Sequence, residues 1–128
     1  MKRPWSDTFR VAFAGIAYAI RTQRNMRVHA AMSVLVLLLG AVLQISTSDW
    51  LWLGLAITIV ISAELMNTAV ESVVDLVMPK PHPLAKVAKD TAAGAVLVTA
   101  VFAVIVGVAI FFEPGMKLLG TILRVMHG

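Results

Sequence analysis

The sequence between residues 64 and 75 reads ELMNTAVESVVD and combines polar with apolar residues. Its polar residues lie three or four positions apart, so a helix places them on one face while the apolar residues point elsewhere. They are Glu64, Asn67, Thr68, Glu71 and Asp75. The stretch ends a long apolar run, and a charge at bilayer depth costs on the order of a few kcal/mol. We therefore predict a polar face turned into a membrane helix bundle, where it acts on a substrate or an ion.

The overall composition also indicates a membrane protein. Of the 128 residues, 59% are apolar and 14% are charged, whereas soluble domains average about a quarter charged residues. The chain has no cysteine, which excludes disulfides, thiol nucleophiles and thiolate metal sites. Its basic residues flank apolar runs and form no soluble patch with aromatic residues, so they favour a role in membrane orientation over nucleic-acid binding.

Three apolar runs are long enough to cross a bilayer as helices. We predict spans at about residues 28–47, 50–78 and 85–112, with a polar turn at Asp49 between the first two. The fold class expected is an all-α integral membrane domain that covers the whole chain.

Two further helices are expected to lie on the membrane surface. Apolar residues recur at helical spacing across about residues 6–22, which predicts an amphipathic helix with Ser6 or Asp7 as its N-cap. The tail from Gly115 onward is predicted to form a second, short surface helix. Arginines interrupt the N-terminal apolar stretch, so we do not expect a secretory signal there.

The lysines and arginines predict the orientation. Nine of the eleven lie before the first span or between the second and third, and the Asp49 turn has none. By the positive-inside rule, the N-terminus and the connector at residues 78–90 are expected in the cytoplasm of a bacterial inner membrane.

That connector carries a second polar cluster. Pro79, Pro81 and Pro83 stop the second span, and Lys86 and Lys89 follow where the next helix begins. Free amides and the helix dipole favour anions at such a position, so a phosphate-binding corner is expected. The alternative is that the lysines serve only as the positive-inside signal.

The polar face on the second span is open to structural explanations as well. Asp75 suits a capping carboxylate, Glu71 suits an ion pair with Arg24 or Arg27, and the amide and hydroxyl suit contacts between helices. Taken together, however, carboxylates for Mg²⁺, lysines for phosphates and a deep glutamate for proton abstraction indicate phosphoryl transfer. The phosphate-binding loop of soluble NTPases is absent from the sequence.

Residues 64–75, followed by AKD at residues 88–90, resemble the small bacterial membrane diacylglycerol kinase and undecaprenol kinase family. The sequence NMRVH at residues 25–29 extends the likeness to nearly the whole chain. The resemblance implies a lipid kinase that uses ATP and Mg²⁺ to phosphorylate a membrane lipid alcohol at the cytoplasmic face. It also implies a homotrimer whose active sites are shared between neighbouring subunits.

The resemblance further implies roles for single residues. Glu64 is expected to be the general base on the lipid hydroxyl, Asn67 and Thr68 to form the polar substrate site, and Glu71 to bind the metal. The nucleotide-binding residues are expected to be Lys89, Asp90, Lys80 and His82.

The chain departs from the family pattern at two positions. Gln23 stands where the family often has a second metal-binding glutamate, and its amide oxygen contributes less charge to a bound cation. Pro4 stands where the family has an arginine that contacts ATP, and the neighbouring Arg3 is the candidate replacement.

Residues 25–29 and 82–86 look closer to the undecaprenol kinase branch, which favours undecaprenol over diacylglycerol as the acceptor. Two other classes stay open at this point. One is a small proton- or ion-conducting membrane protein, although three spans without an inverted repeat make it the weaker alternative. The other is a non-catalytic relative in which Gln23 has ended the chemistry.

Overall fold

A computed structural model describes residues 2–128, which form four helices and no strand. In chain order these are α1 (Trp5–Thr22), α2 (Arg24–Leu43), α3 (Thr47–Val77) and α4 (Pro83–His127). Helices α2, α3 and α4 are each long and apolar enough to cross a membrane. The predicted all-α membrane fold with three spans is therefore confirmed.

The turn between α2 and α3 comes earlier than predicted. Gln44 ends α2 in the left-handed conformation, with φ of 52°, and Ser46 caps α3 by accepting a hydrogen bond from the backbone N–H of Asp49 at 3.1 Å. Asp49 thus lies in the first turn of α3, where its charge suits the helix dipole, rather than in the turn itself. The first span correspondingly runs from Arg24 to Leu43 instead of about 28–47.

Helix α1 also starts before the predicted cap. Pro4 is the N-cap residue and no side chain caps the helix, so the prediction of Ser6 or Asp7 in that role is wrong. Instead, Asp7 pairs with Arg10 at 3.2 Å inside the first turns. The apolar face of α1 points away from the other helices, with Phe13 68% exposed, as expected of a helix that lies on a membrane surface.

The corner between α1 and α2 is fixed by an arginine. Nη1 of Arg27 donates hydrogen bonds to the carbonyls of Ile20 at 3.1 Å and Arg21 at 2.9 Å. These carbonyls belong to the last turn of α1, which leaves unsatisfied acceptors that favour a cation. The arginine therefore sets how the surface helix joins the first span.

Helix α4 continues through the position where a break was predicted. Pro114 lies inside this single helix of 45 residues, so the expected separate C-terminal surface helix is its last part. A proline removes one backbone hydrogen bond but does not always end a helix, and here Glu113 and Lys117 form an ion pair across it at 3.4 Å. At about 1.5 Å per residue, α4 is longer than the hydrocarbon core of a bilayer.

The apolar interior lies between the first half of α3 and the second half of α4. Its buried residues are Leu53, Ala56, Val106 and Ile110. Where α2 approaches this cluster, Gly40 packs against the ring of Trp50: a Cβ atom at Gly40 would lie 2.9 Å from Cη2 of that ring and 3.0 Å from Cδ1 of Ile45. The missing side chain therefore allows α2 to pack closely against the start of α3.

We expect Gly40→Val to destabilise the protein by about 1–3 kcal/mol because the new methyl groups overlap the Trp50 ring. The matched control is Gly54→Val, since no atom lies within 4 Å of the Cβ position at Gly54. Thermal unfolding of both variants in detergent micelles, followed by circular dichroism, measures the difference. Equal unfolding midpoints would show that α2 does not need this close approach.

Candidate active site

Helix α3 carries the polar face from the interior of the bundle to its end. Glu64 is 1% exposed and Asn67 and Thr68 are also buried, whereas Glu71 is half-buried and Asp75 is exposed. The spacing of three and four residues thus puts these side chains along one side of the helix. Exposure increases steadily from the glutamate at the deep end to the aspartate at the shallow end.

At the deep end, Glu64 meets a histidine from another helix. Its Oε1 atom lies 3.3 Å from Nε2 of His29 on α2, yet makes no hydrogen bond with proper geometry to any described residue. Oxygen Oε1 is therefore buried next to an ionisable ring and is still free to accept a proton. In the sequence, His29 stands out only as the last residue of the NMRVH motif at residues 25–29. The contact becomes visible once the start of α2 is packed against the second half of α3.

The next residues of the face form hydrogen bonds within α3. Nδ2 of Asn67 donates to Oε1 of Glu71 at 3.3 Å, while Oδ1 of Asn67 is buried and accepts no hydrogen bond. The hydroxyl of Thr68 donates to the backbone carbonyl of Glu64 at 2.9 Å, so its proton is used within α3. The unpartnered amide oxygen and the adjacent carboxylate are the hard oxygen ligands that suit a divalent cation such as Mg²⁺.

Gln23 lies at the corner between α1 and α2, where Arg27 donates hydrogen bonds to the end of α1. It is half-buried, its backbone is extended, and its N–H donates to the carbonyl of Ala19 at 2.9 Å. No ion pair joins Glu71 to Arg24 or Arg27 among residues 2–128. The structural alternative for Glu71 as a partner of these arginines is therefore not supported.

At the shallow end of the face an open cleft of about 660 Å³ lies between the end of α3, the proline-rich connector and the start of α4. The cleft brings together all four residues expected to bind the nucleotide. Its polar lining residues are Asp75, Lys80, His82, Lys86, Lys89 and Asp90.

Two of the lysines in this cleft form ion pairs with acidic residues. Lys89 pairs with Asp75 across the gap between α4 and α3, and Lys86 pairs with Asp90 one turn further along α4. Adjacent residues on a helix point in different directions, so Lys89 and Asp90 do not face each other. Both pairs are largely exposed, so solvent screens the attraction between their charges. An incoming phosphate can therefore replace either carboxylate at little cost.

His82 has a structural role as well as a place in the cleft. Its Nδ1 atom accepts a hydrogen bond from the backbone N–H of Leu84 at 3.1 Å, and it is the N-cap residue of α4. This satisfies one of the free amides at the start of the helix. His82 thus lies in the cleft with the lysines, and it also caps α4, a contact that the sequence did not predict.

A second cavity leads away from the deep end of the face. It is a groove of about 460 Å³ between α2, α3 and α4, and most of its lining is aliphatic. The polar side chains in its lining are His29 and Ser33, and the hydroxyl of Ser33 donates to the carbonyl of His29 at 2.7 Å. An apolar groove therefore ends at the histidine that contacts Glu64.

Comparisons with known proteins show which proteins the chain is similar to. The sequence model of the family described as prokaryotic diacylglycerol kinase matches residues 10–111. The chain is 45% identical over 113 residues to the diacylglycerol kinase of Synechocystis sp., across 88% of this chain and 65% of that protein. It is 48% identical over 97 residues to the undecaprenol kinase of Bacillus subtilis, across 76% of this chain and 79% of that protein. The chain therefore spans just under two thirds of the length of the Synechocystis relative.

We expect His82→Ala to loosen the start of α4 by about 0.5–2 kcal/mol because it removes the N-cap acceptor. His82→Asn is the matched control, since asparagine also accepts from the first amides of a helix. Hydrogen exchange of the first turn of α4 measures the effect. Equal protection in the alanine variant and the wild type would contradict a capping role.

Proposed function

The chain belongs to the prokaryotic diacylglycerol kinase family, and from this membership and the geometry of the site we propose that it transfers the γ-phosphate of ATP to a membrane lipid alcohol. The observation that carries the proposal is the position of Glu64. This carboxylate contacts His29, which lines the apolar groove, and it lies at the deep end of a polar face that ends in a cleft with three lysines. A lipid hydroxyl can approach from the groove while the phosphates approach along the face.

The cleft is the proposed nucleotide site. Lys89, Lys86 and Lys80 offer positive charge at its edge, and the amino-terminal end of α4 adds the favourable end of a helix dipole. Phosphates that bind here displace Asp75 and Asp90 from their lysines. The family resemblance supports this assignment through the sequence AKD at residues 88–90.

We propose Glu71, Asn67 and Gln23 as the residues that hold Mg²⁺. When bound, the ion supplies charge that neutralises the phosphate oxygens. No group of three or more histidine, cysteine or acidic side chains in residues 2–128 could hold a metal by itself. This fits a cation whose remaining ligands are phosphates and water, as is usual for Mg²⁺ in kinases. The free Oδ1 of Asn67 supports the assignment.

Glu64 is the proposed general base. Its burial removes competing water, and its unpartnered Oε1 can accept the proton of the acceptor hydroxyl as that oxygen attacks phosphorus. The aliphatic groove beside it suits the lipid chain. As the acceptor we favour undecaprenol, on the residues at 25–29 and 82–86 that resemble that branch of the family.

We propose that the protein lies in the bacterial inner membrane with its N-terminus in the cytoplasm, where ATP is available. The distribution of lysine and arginine supports this orientation. A homotrimer with shared active sites is part of the same proposal. The family resemblance supports it, since it implies active sites that are shared between neighbouring subunits.

We expect Glu64→Gln to lower kcat by about 10²–10⁴-fold because the amide cannot accept the hydroxyl proton. The matched control is Glu113→Gln, which changes an exposed glutamate far from the face and should keep wild-type turnover. Transfer of radiolabelled phosphate from ATP to undecaprenol and to diacylglycerol in mixed micelles is the measurement. Wild-type protein that labels neither lipid, or an active Glu64→Gln variant, contradicts the proposal.

A second prediction concerns the metal. Gln23→Glu adds a negative charge to the proposed Mg²⁺ site, so we expect the Mg²⁺ concentration for half-maximal turnover to fall by about tenfold. Gln44→Glu makes the same change at the opposite end of α2 and should leave the Mg²⁺ requirement unchanged. If both variants shift it equally, or neither does, Gln23 is not near the metal.

A further inference from the structure

Glu64 and His29 form the only pair of titratable side chains from different helices that lies inside the bundle, among the residues described. Every other ion pair in that part of the chain is exposed. The mechanism proposed above uses the glutamate and leaves the histidine without a task. This inference rests on the proposed kinase activity.

A buried base has to lose its proton after each turnover. Glu64 is 1% exposed, so water cannot readily collect the proton that the carboxylate takes from a lipid hydroxyl. The next turnover needs the carboxylate again, and a titratable neighbour within contact distance provides the shortest route.

The other neighbours do not provide one. The hydroxyl of Thr68 donates to the backbone of α3 at 2.9 Å, and the amide of Asn67 donates to Glu71 at 3.3 Å and does not titrate. Glu71 is two turns away along α3, and α4 carries no titratable side chain between residues 91 and 112. His29 is 3.3 Å away, and its side chain is 24% exposed, so it is the nearest titratable group and is less enclosed than the carboxylate.

We propose that His29 is a positioning residue that acts through Glu64 and restores its carboxylate between turnovers. As the lipid oxygen bonds to the γ-phosphorus, its proton passes to Glu64, and the bond from that phosphorus to the bridging oxygen breaks to release ADP. The protonated Glu64 then gives the proton to Nε2 of the neutral imidazole. The imidazolium finally gives the proton to water once the phosphorylated lipid has left the groove that the ring lines.

The test compares two variants of this position with a histidine control. We expect His29→Ala and His29→Gln to lower kcat by about 10- to 100-fold, with the KM for ATP unchanged, since neither side chain accepts a proton. His127→Gln, at the exposed end of α4, is expected to keep wild-type kinetics. Helix content and unfolding midpoint in micelles, measured alongside, identify any variant that does not fold.

Added imidazole separates a proton role from a packing role. It should raise the kcat of His29→Ala at least tenfold, because a small base can occupy the space of the missing ring. The kcat values of the wild type and of His127→Gln should stay unchanged. Wild-type kcat in both His29 variants, or a folded His29→Ala with reduced kcat that imidazole does not raise, overturns the inference. Wild-type protein that phosphorylates no lipid instead overturns the kinase function beneath it.

Discussion

The contact between Glu64 and His29 is the constraint that the rest of the bundle has to respect. An acid in the apolar half of a membrane helix is tolerated only where a partner or a wet cavity receives it. The helices α2 and α3 must therefore keep their register over their whole length. At one end, that register is set by the left-handed turn at Gln44 and the close approach at Gly40. At the other end, the hydrogen bonds of Arg27 to the last turn of α1 set the direction in which α2 leaves α1.

Along α3 the environment changes from apolar to aqueous over a short distance. From Glu64 to Asp75 is about 16 Å at 1.5 Å per residue, and burial falls from complete to slight over that length. On the proposed function, this gradient matches two reactants of opposite character. The lipid meets an aliphatic groove, and the phosphates meet exposed ion pairs that are weak enough to open. The two reactants can meet only in between, beside Glu64, Asn67 and Glu71.

The sequence was sufficient to predict features that depend on local patterning. Length and hydropathy predicted three spans, and steps of three and four residues predicted which side chains of α3 share a face. The proline-rich connector predicted a phosphate-binding corner with Lys86 and Lys89 because prolines force the chain out of the helix there, and both lysines line the cleft. Membership of the family was predicted from the same residues and is confirmed by the match to residues 10–111.

What the sequence did not reveal depends on how the helices pack. The contact of His29 with Glu64 requires the register of α2 on α3. The pairing of Lys89 with Asp75 requires the crossing of α3 and α4, and the neighbour in sequence, Asp90, turns to Lys86 instead. Pro114 shows the limit of a local rule, since α4 passes through it. The roles of Gln23, Glu71 and the other site residues stay predictions, because these roles depend on ligands that bind between the helices.

The two named relatives act on different lipids, and the geometry accounts for how one scaffold serves both. On the proposed function, the polar face meets only the hydroxyl of the acceptor, which diacylglycerol and undecaprenol share. Discrimination must come from the groove, where small side chains, among them Ala56, Ala103 and Gly107, leave the space. One methylene more or less in an apolar pocket separates similar chains by about 10- to 200-fold. Changing a few small residues in the groove can therefore alter the preferred lipid without disturbing Glu64, so specificity and chemistry can diverge separately in this fold.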